Sequence, residues 1–210
     1  SGCTGLTTIA VAPLTPNCGN LDGVLFNKNR TTLIQFPAGK SGGYYIPNSL
    51  TEIIEYAFSG CAGLTAIAVD PLNPIYSSLD GVLFDKNGTT LIQFPAGKSG
   101  GYDIPNSVSE IRSYSFGDCT GLTSVSIPGG VSSIAGSTFF GCNSLTSITI
   151  PESVTRIDRH AFSNCTSLTS ITIPDSVTEI GRGAFLACTG LVSIVIPDSV
   201  NFIGSGAFSG

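Results

Sequence analysis

Residues 168–191 read Leu168-Thr169-Ser170-Ile171-Thr172-Ile173-Pro174-Asp175-Ser176-Val177-Thr178-Glu179-Ile180-Gly181-Arg182-Gly183-Ala184-Phe185-Leu186-Ala187-Cys188-Thr189-Gly190-Leu191, and at Leu191 the motif begins again. Cys119, Cys142, Cys165 and Cys188 mark the same phase at intervals of 23 residues. A fixed period of this size signals stacked supersecondary units, none of which can bury its apolar face alone. Alternation in Ser170-Ile171-Thr172-Ile173 turns both isoleucines inward and the hydroxyl residues outward. Pro174 then ends the strand, because it has no amide to donate. Val177 and Ile180 form a second inward set, and Ala184, Phe185, Cys188 and Leu191 line the return, where a turn of helix is expected. The spacing thus predicts a coil that closes on itself and stacks on its neighbours.

Working towards the N-terminus, the period changes. Cys3, Cys61 and Cys119 are 58 residues apart, equal to one short coil of 23 plus one enlarged coil of 35. Segments 21–47 and 79–105 agree at 24 of 27 positions, which marks a recent internal duplication. In the second copy, Gly81-Val82-Leu83-Phe84 and Thr89-Thr90-Leu91-Ile92-Gln93-Phe94 flank Asp85-Lys86-Asn87-Gly88. Two apolar strands around an Asn-Gly signal predict a β-hairpin. The first copy carries Asn27-Lys28-Asn29-Arg30 at the same tip. Strand positions recur at Leu6–Val11, Tyr44–Ile46, Leu64–Val69, Tyr102–Ile104, Leu122–Ile127, Leu145–Ile150, Leu168–Ile173 and Leu191–Ile196, giving eight expected coils.

The strand Leu-x-x-Ile-x-Ile resembles that of a leucine-rich repeat. The sequel Ile-Pro-x-Ser-Val-x-x-Ile-x-x-x-Ala-Phe-x-x-Cys, complete over Ile173–Cys188 and nearly so over Ile150–Cys165, resembles the BspA-like class of such repeats. The units that begin Asp80-Gly81-Val82-Leu83-Phe84 are similar to long variants of the same family. The resemblance covers essentially the whole chain. It implies an α/β, β-rich, right-handed leucine-rich-repeat solenoid with a parallel β-sheet on one face, here with two β-hairpin insertions. It also implies a secreted or cell-surface protein of a bacterium or protist, with adhesion and partner binding as the roles known in the family and no shared catalytic residues. The expected organisation is a single solenoid over residues 1–210, with two 58-residue hairpin-bearing units in 1–116 and regular 23-residue repeats in 117–210. Both Ser1-Gly2-Cys3 and Phe208-Ser209-Gly210 fall at one phase of the repeat, which suggests a piece of a longer array whose signal and anchor lie elsewhere.

Composition narrows the function classes. The chain of 210 residues is 41% hydrophobic and 11% charged, outside the range of disordered chains. A net charge of −5 argues against nucleic acid, which requires a basic footprint. No apolar run approaches the roughly 20 residues of a spanning helix, so no membrane insertion is expected within this stretch.

Catalytic constellations are weak. Gly39-Lys40-Ser41-Gly42-Gly43 and Gly97-Lys98-Ser99-Gly100-Gly101 match Gly-x-Ser-x-Gly, but a strand follows each and the only histidine, His160, is several coils away. His160 shares its column with Tyr56, Tyr114, Ser137, Gly183 and Gly206, which reads as a variable exposed series. Around it lie Glu152, Arg156, Asp158, Arg159, Asp175, Glu179 and Arg182, with Arg156 and Glu179 placed to pair one coil apart. Seven cysteines, an odd number, exclude a complete intrachain disulfide framework. Six hold the repeat phase and read as a ladder of buried thiols, with a bridge between neighbouring coils as the alternative. A linear column offers no centre for a metal, and no cofactor is expected.

The outer face of the expected sheet is a quiet lattice of Ser, Thr and Ala. Loops on a rigid scaffold commonly carry recognition, and the hairpins bring Tyr44, Tyr45, Tyr76 and Tyr102 together with the tip residues Lys28, Arg30, Lys86 and Asn87. These eight are the expected contact residues for a protein or glycan partner. A spacer that displays another domain is the competing expectation, and end-to-end self-association is expected of uncapped repeat cores.

Overall fold

The structure is a computed structural model that describes residues 3–210; Ser1 and Gly2, which with Cys3 carry the expected N-terminal repeat phase, lie outside the described residues. The chain winds as a β-solenoid of about seven turns, and no helix occurs among the described residues. In chain order the first unit holds β1 (Cys18–Leu21), β2 (Val24–Asn27), β3 (Thr32–Gln35), β4 (Gly42–Ile46) and β5 (Glu52–Ile53). Its copy holds β6 (Leu64–Val69), β7 (Tyr76–Leu79), β8 (Val82–Asp85), β9 (Thr90–Gln93), β10 (Gly100–Asp103) and β11 (Glu110–Ile111). The regular part adds β12 (Leu122–Ser126), β13 (Ser133–Ile134), β14 (Ser147–Thr149), β15 (Arg156–Ile157), β16 (Glu179–Ile180) and β17 (Phe202–Ile203).

Each coil has three sides, and each side has its own hydrogen-bonded ladder. On the first, β4 pairs parallel with β6, and β10, β12 and β14 form a second parallel run in which Tyr102, Val125 and Ile148 share one row. Leu168–Ile173 continues the column without strand hydrogen bonds, yet Leu168, Ile171 and Ile173 remain buried. Leu6–Val11 also lacks strand pairing; Leu6 is 40% exposed, so the first of the eight expected positions adds no full turn.

On the second side, β13, β15, β16 and β17 stack in parallel, bringing Ile134, Ile157, Ile180 and Ile203 into line. Here the motif Pro-x-Ser-Val explains itself. The proline carbonyl closes a turn on the valine amide, as in Val177 N to Pro174 O at 3.0 Å. The serine hydroxyl meanwhile donates to the previous coil, as in Ser153 to Val131 O, Ser176 to Val154 O and Ser199 to Val177 O, at 2.6, 2.6 and 2.7 Å.

The third side corrects the expected helical return, and with it the α/β assignment. Two residues per corner, four apart, have left-handed backbone: Tyr114 and Asp118, Ser137 and Gly141, His160 and Asn164, Gly183 and Ala187. An L-residue helix cannot run through such positions. The corner is instead a chain of interlocked turns in which alternate amides go to alternate partners. Ala161, Ser163 and Cys165 donate within the coil, to Asp158, His160 and Phe162, while His160, Phe162 and Asn164 donate to Arg182, Ala184 and Leu186 of the next coil. Under the corner, Phe116, Phe139, Phe162, Phe185 and Phe208 stack in register with centroids 5.0–5.4 Å apart. The cysteine after each phenylalanine points its thiol at the phenylalanine carbonyl of the preceding coil, as Cys165 Sγ does to Phe139 O at 3.1 Å.

The insertion is larger than the expected hairpin. β1, β2 and β3 form a three-stranded antiparallel meander, as do β7, β8 and β9, and the last strand of each then pairs parallel with the second-side strand of the following coil. The extra turn is Asp22-Gly23 in one copy and Asp80-Gly81 in the other, with φ of 49° and 78°, and 50° and 76°. Positive φ at both central residues suits the right-handed twist of a two-residue hairpin and favours Asp-Gly. Gly81 also accepts the amide of Ile67 at 2.7 Å and so closes the edge of β6.

The β8–β9 ribbon divides the core into two bodies. Leu83 and Ile92 pack with Ile46, Phe58 and Ile67, while Val82, Phe84, Leu91 and Phe94 on its other face pack with Ile104 and Phe116. In the first copy the equivalents of Leu83 and Ile92, Leu25 and Ile34, are only half-buried.

Candidate interaction surface

The structure distributes the eight expected contact residues over several tasks. Tyr76 is buried, and its hydroxyl lies 3.5 Å from the Thr51 carbonyl. Tyr44 meets Phe36 edge-on at 5.1 Å and Tyr102 packs on Phe94 at 4.9 Å, with burial, then the Asp80 charge, pushing the Tyr102 phenol up to about 12. Tyr45 alone turns its ring to solvent, 55% exposed on the first side. At the tips, Lys28 donates to the carbonyl of Thr15 at 3.0 Å and Lys86 to that of Pro71 at 3.1 Å, which ties the meander to the loop before it. Arg30 holds a left-handed backbone where the copy has Gly88, and it and Asn87 are exposed. None of the eight lines the two recesses at the corner of the enlarged coil and at the C-terminal coil.

The larger cavity was not anticipated. It is a slot of about 470 Å³ on the corner, bounded by Ile53–Phe58 on one side and Ser109–Tyr114 on the other, with Ile92 and Gln93 between. Its origin is a difference in spacing. In β5 and β11 the inward isoleucine precedes the corner phenylalanine by five positions (Ile53 to Phe58, Ile111 to Phe116), whereas in β9 the distance is three, Leu91 to Phe94. The enlarged coil therefore cuts its corner, and the full-length corners before and after it stand proud. Tyr56 and Tyr114 reach across the recess and meet edge-on at 5.3 Å. Tyr114 is fixed by its hydroxyl, which donates to Asp118 and lies 3.4 Å from Ser59 Oγ. Glu55, Glu110 and Arg112 stand on the rim, and the Arg156–Asp158 ion pair, 2.6 Å, closes one end. Arg156 and Glu179 are register partners as expected, but Asp158 takes the guanidinium.

The short corner also leaves donors without acceptors. Tyr114, Phe116 and Asp118 donate to Gly136, Thr138 and Phe140 of the next coil at 3.2, 3.0 and 2.7 Å. The equivalent amides of Tyr56, Phe58 and Gly60 meet no acceptor among the described residues. Phe58 is 4% exposed and lines the slot, so its amide is an unpaired donor on a largely buried residue there. The signal for this recess was present in the sequence as Leu-Ile-Gln-Phe against Ile-x-x-x-Ala/Ser-Phe, a deficit of two residues.

Other features serve the scaffold. The seven cysteines are free thiols in the structure; Cys61, Cys119, Cys142, Cys165 and Cys188 are buried, but Cys3 is exposed, which corrects its place in the ladder: the stretch Leu6–Val11 that follows it has no strand pairing and completes no turn. Burial, with the Asp118 charge second, pushes the Cys61 thiol up to about 12. His160 lies over Gly183, whose Cβ, if present, would meet the ring at 2.6 Å. The two Gly-x-Ser-x-Gly strings form turns clamped by Lys40 over Phe36 and Lys98 over Phe94, each nitrogen 5.9 Å from its ring centroid. No cluster of metal-ligating side chains occurs among the described residues. A second, smaller cavity of about 250 Å³ opens at the C-terminal coil between Phe185, Leu191, Ile194 and Phe208.

Comparison with known proteins places this geometry. The family described as "BspA type Leucine rich repeat region" matches residues 42–99 and 98–210, in six copies. Among solved structures, a leucine rich cell surface protein from Faecalibacterium prausnitzii is 33% identical with a TM-score of 0.76, over 85% of this chain and 48% of its own. The pneumococcal vaccine antigen PcpA is 26% identical with a TM-score of 0.72, over 84% of this chain and 44% of its own. A leucine rich repeat protein of T. pallidum is 32% identical with a TM-score of 0.55, over 67% of this chain and 66% of its own. The chain thus spans less than half the length of the first two. No curated protein sequence matches it.

Proposed function

Because this chain belongs to the family of BspA-type leucine-rich repeats, we propose that it serves as a non-enzymatic interaction module of a secreted or cell-surface protein. The observation that carries this reading is the slot between Tyr56 and Tyr114, a concave, aromatic-walled recess on an otherwise regular rod. Aromatic side chains held rigidly around a recess are what binding surfaces use as anchors. The likeness to a cell surface protein and a vaccine antigen supports an extracellular setting for the partner, a protein or a glycan. The exposed residues Tyr45, Arg30 and Asn87 remain candidates for its periphery.

The test is capture from extracellular-matrix proteins and glycans, with the intact chain beside a variant carrying Tyr56→Gly. Retention of a partner by the intact chain supports the module. Failure to retain any partner from either pool overturns it in favour of the spacer, a reading supported by the β8–β9 ribbon, whose two faces are spent on holding neighbouring cores together. The last coil exposes Val192, Val195 and Phe202 on its outward faces at 90%, 81% and 53%, which supports association of chains through the sides of that coil. Sedimentation velocity that shows only monomer at high concentration refutes that association.

A further inference from the structure

We propose that the slot binds a polypeptide segment through its backbone, the bound segment supplying the corner that the enlarged coil lacks. This deepens the reading of the chain as an interaction module and rests on it. The argument comes from what fills the same row elsewhere in the molecule. In the regular coils, three amides two residues apart donate outward. Those of Tyr114, Phe116 and Asp118 are met by Gly136, Thr138 and Phe140, and those of Ser137, Phe139 and Gly141 by Arg159, Ala161 and Ser163. In each case the acceptors are main-chain carbonyls at alternate residues. The row at Tyr56, Phe58 and Gly60 has the same alternation and no acceptor among the described residues, and its first two members line the slot. A buried amide without a partner is unfavourable by an amount comparable to a lost hydrogen bond, and a ligand that supplies the acceptor recovers it.

The chemistry of the slot selects a peptide from other occupants. A row of donors that its own chain satisfies with alternate carbonyls is a template for another polypeptide backbone, the corner counterpart of strand addition at a sheet edge. The two tyrosine rings give apolar contact to the side chains between the bonded residues, and Glu55 and Glu110 with Arg112 offer polar contacts at the rim. The segment that fits has residues tolerant of left-handed backbone four apart, as Ser137 and Gly141 are.

The probe is the chain's own corner, residues 133–141 (Ser-Ile-Ala-Gly-Ser-Thr-Phe-Phe-Gly), as an acetylated and amidated nonapeptide. It is titrated into the isotopically labelled chain and read by amide chemical shifts. The expected result is saturable movement and slowed exchange of the Tyr56 and Phe58 amides. Tyr56→Gly, which places in this column the residue already found at Gly183 and Gly206, weakens the peptide about tenfold without disturbing the backbone. A second variant keeps Ile92 and inserts Tyr-Ser, the residues at 114–115 of the full corner, between Gln93 and Phe94; it restores the five-residue spacing and abolishes binding by filling the slot from within. Peptide-induced shifts confined to other surfaces, or none at millimolar peptide, overturn the proposal even if the chain captures a partner elsewhere. Capture of no partner by any surface, with the peptide still bound in the slot, instead removes the module reading and leaves the peptide site standing.

Discussion

Phe162 stands in the middle of the aromatic stack, wholly buried, with Phe139 and Phe185 on either side at 5.3 Å and interplanar angles of 8° and 7°. Truncating Phe162→Ala removes the transfer free energy of the ring and leaves a cavity, together about 3–5 kcal/mol. Two stacked pairs vanish with it, each about 0.5–1.5 kcal/mol beyond area burial. The expected loss is therefore roughly 4–8 kcal/mol, a large part of the ~5–15 kcal/mol that holds an ordinary domain. Phe208 supplies the control in the same column. It is 39% exposed and has one stacked neighbour, Phe185 at 5.4 Å, so Phe208→Ala is expected to lose only about 1–2 kcal/mol. Urea unfolding at 25 °C, followed by far-UV circular dichroism, compares the two midpoints with the slope held common. Equal losses for the two variants, or a loss below about 2 kcal/mol for Phe162→Ala, would refute the view that stability is carried by coil-to-coil stacking.

Four further outcomes follow from the same geometry. Burial raises the folded pKa of Cys61 to about 12 and of Cys188 to about 11 from the ordinary 9.0. The folded state thus holds protons that the unfolded state releases; stability is fully present below about pH 9 and declines as pH climbs towards 11–12. Cys61→Ala and Cys188→Ala are expected to flatten that decline in alkaline urea titrations, and an unchanged slope contradicts the assignment. In native alkylation read by mass spectrometry, Cys3 is labelled first, while Cys119, Cys142 and Cys165 stay protected until the chain unfolds. Gly81→Ala meets φ of 76° and an Ala66 Cβ only 3.0 Å away, and is expected to destabilise by about 1–3 kcal/mol in the same urea assay. Finally, the Phe58 amide is expected to exchange with deuterium much faster than the Phe116 amide, which donates to Thr138 at 3.0 Å; equal protection would mean that Phe58 has an acceptor.

The repeat made the larger outline readable. The Ile-x-Ile alternation and the Pro-x-Ser-Val step located two of the three sides, because burial on a strand follows a period of two wherever neighbours cover it. The corner was misread because Ala184, Phe185 and Cys188 have helical spacing, while the backbone is set by Gly183 and Ala187, and residues as unlike as Tyr114, Ser137 and His160 adopt the same left-handed φ. Side-chain identity gave little warning there: the coil above and below fixes the conformation by taking every second amide. The Asp22-Gly23 and Asp80-Gly81 turns were legible but overshadowed by the Asn-Gly signal at the tip. Tyr76 was grouped with solvent-facing tyrosines because nothing local shows that the meander folds back over it. The slot escaped notice for a different reason. It comes from residues that are missing, and a motif search registers what is present.

The β8–β9 ribbon has a mechanical consequence. Along most of the rod, adjacent coils are joined on the corner by three main-chain hydrogen bonds and on the second side by a strand ladder. Between β5 and β9 both sets are absent among the described residues, and the joint is held instead by the β4–β6 ladder of the first side, by Asn73, which donates to the carbonyls of Pro47 and Leu50 at 2.8 and 2.9 Å, and by apolar packing of Leu83 and Ile92. The directional bonds of this joint are therefore gathered on the first side, so under tension the corner yields before the sheet. Pulled along its axis, a rod built this way would open at that corner as on a hinge and close again when released, with the Tyr56 and Tyr114 walls parting as it does so.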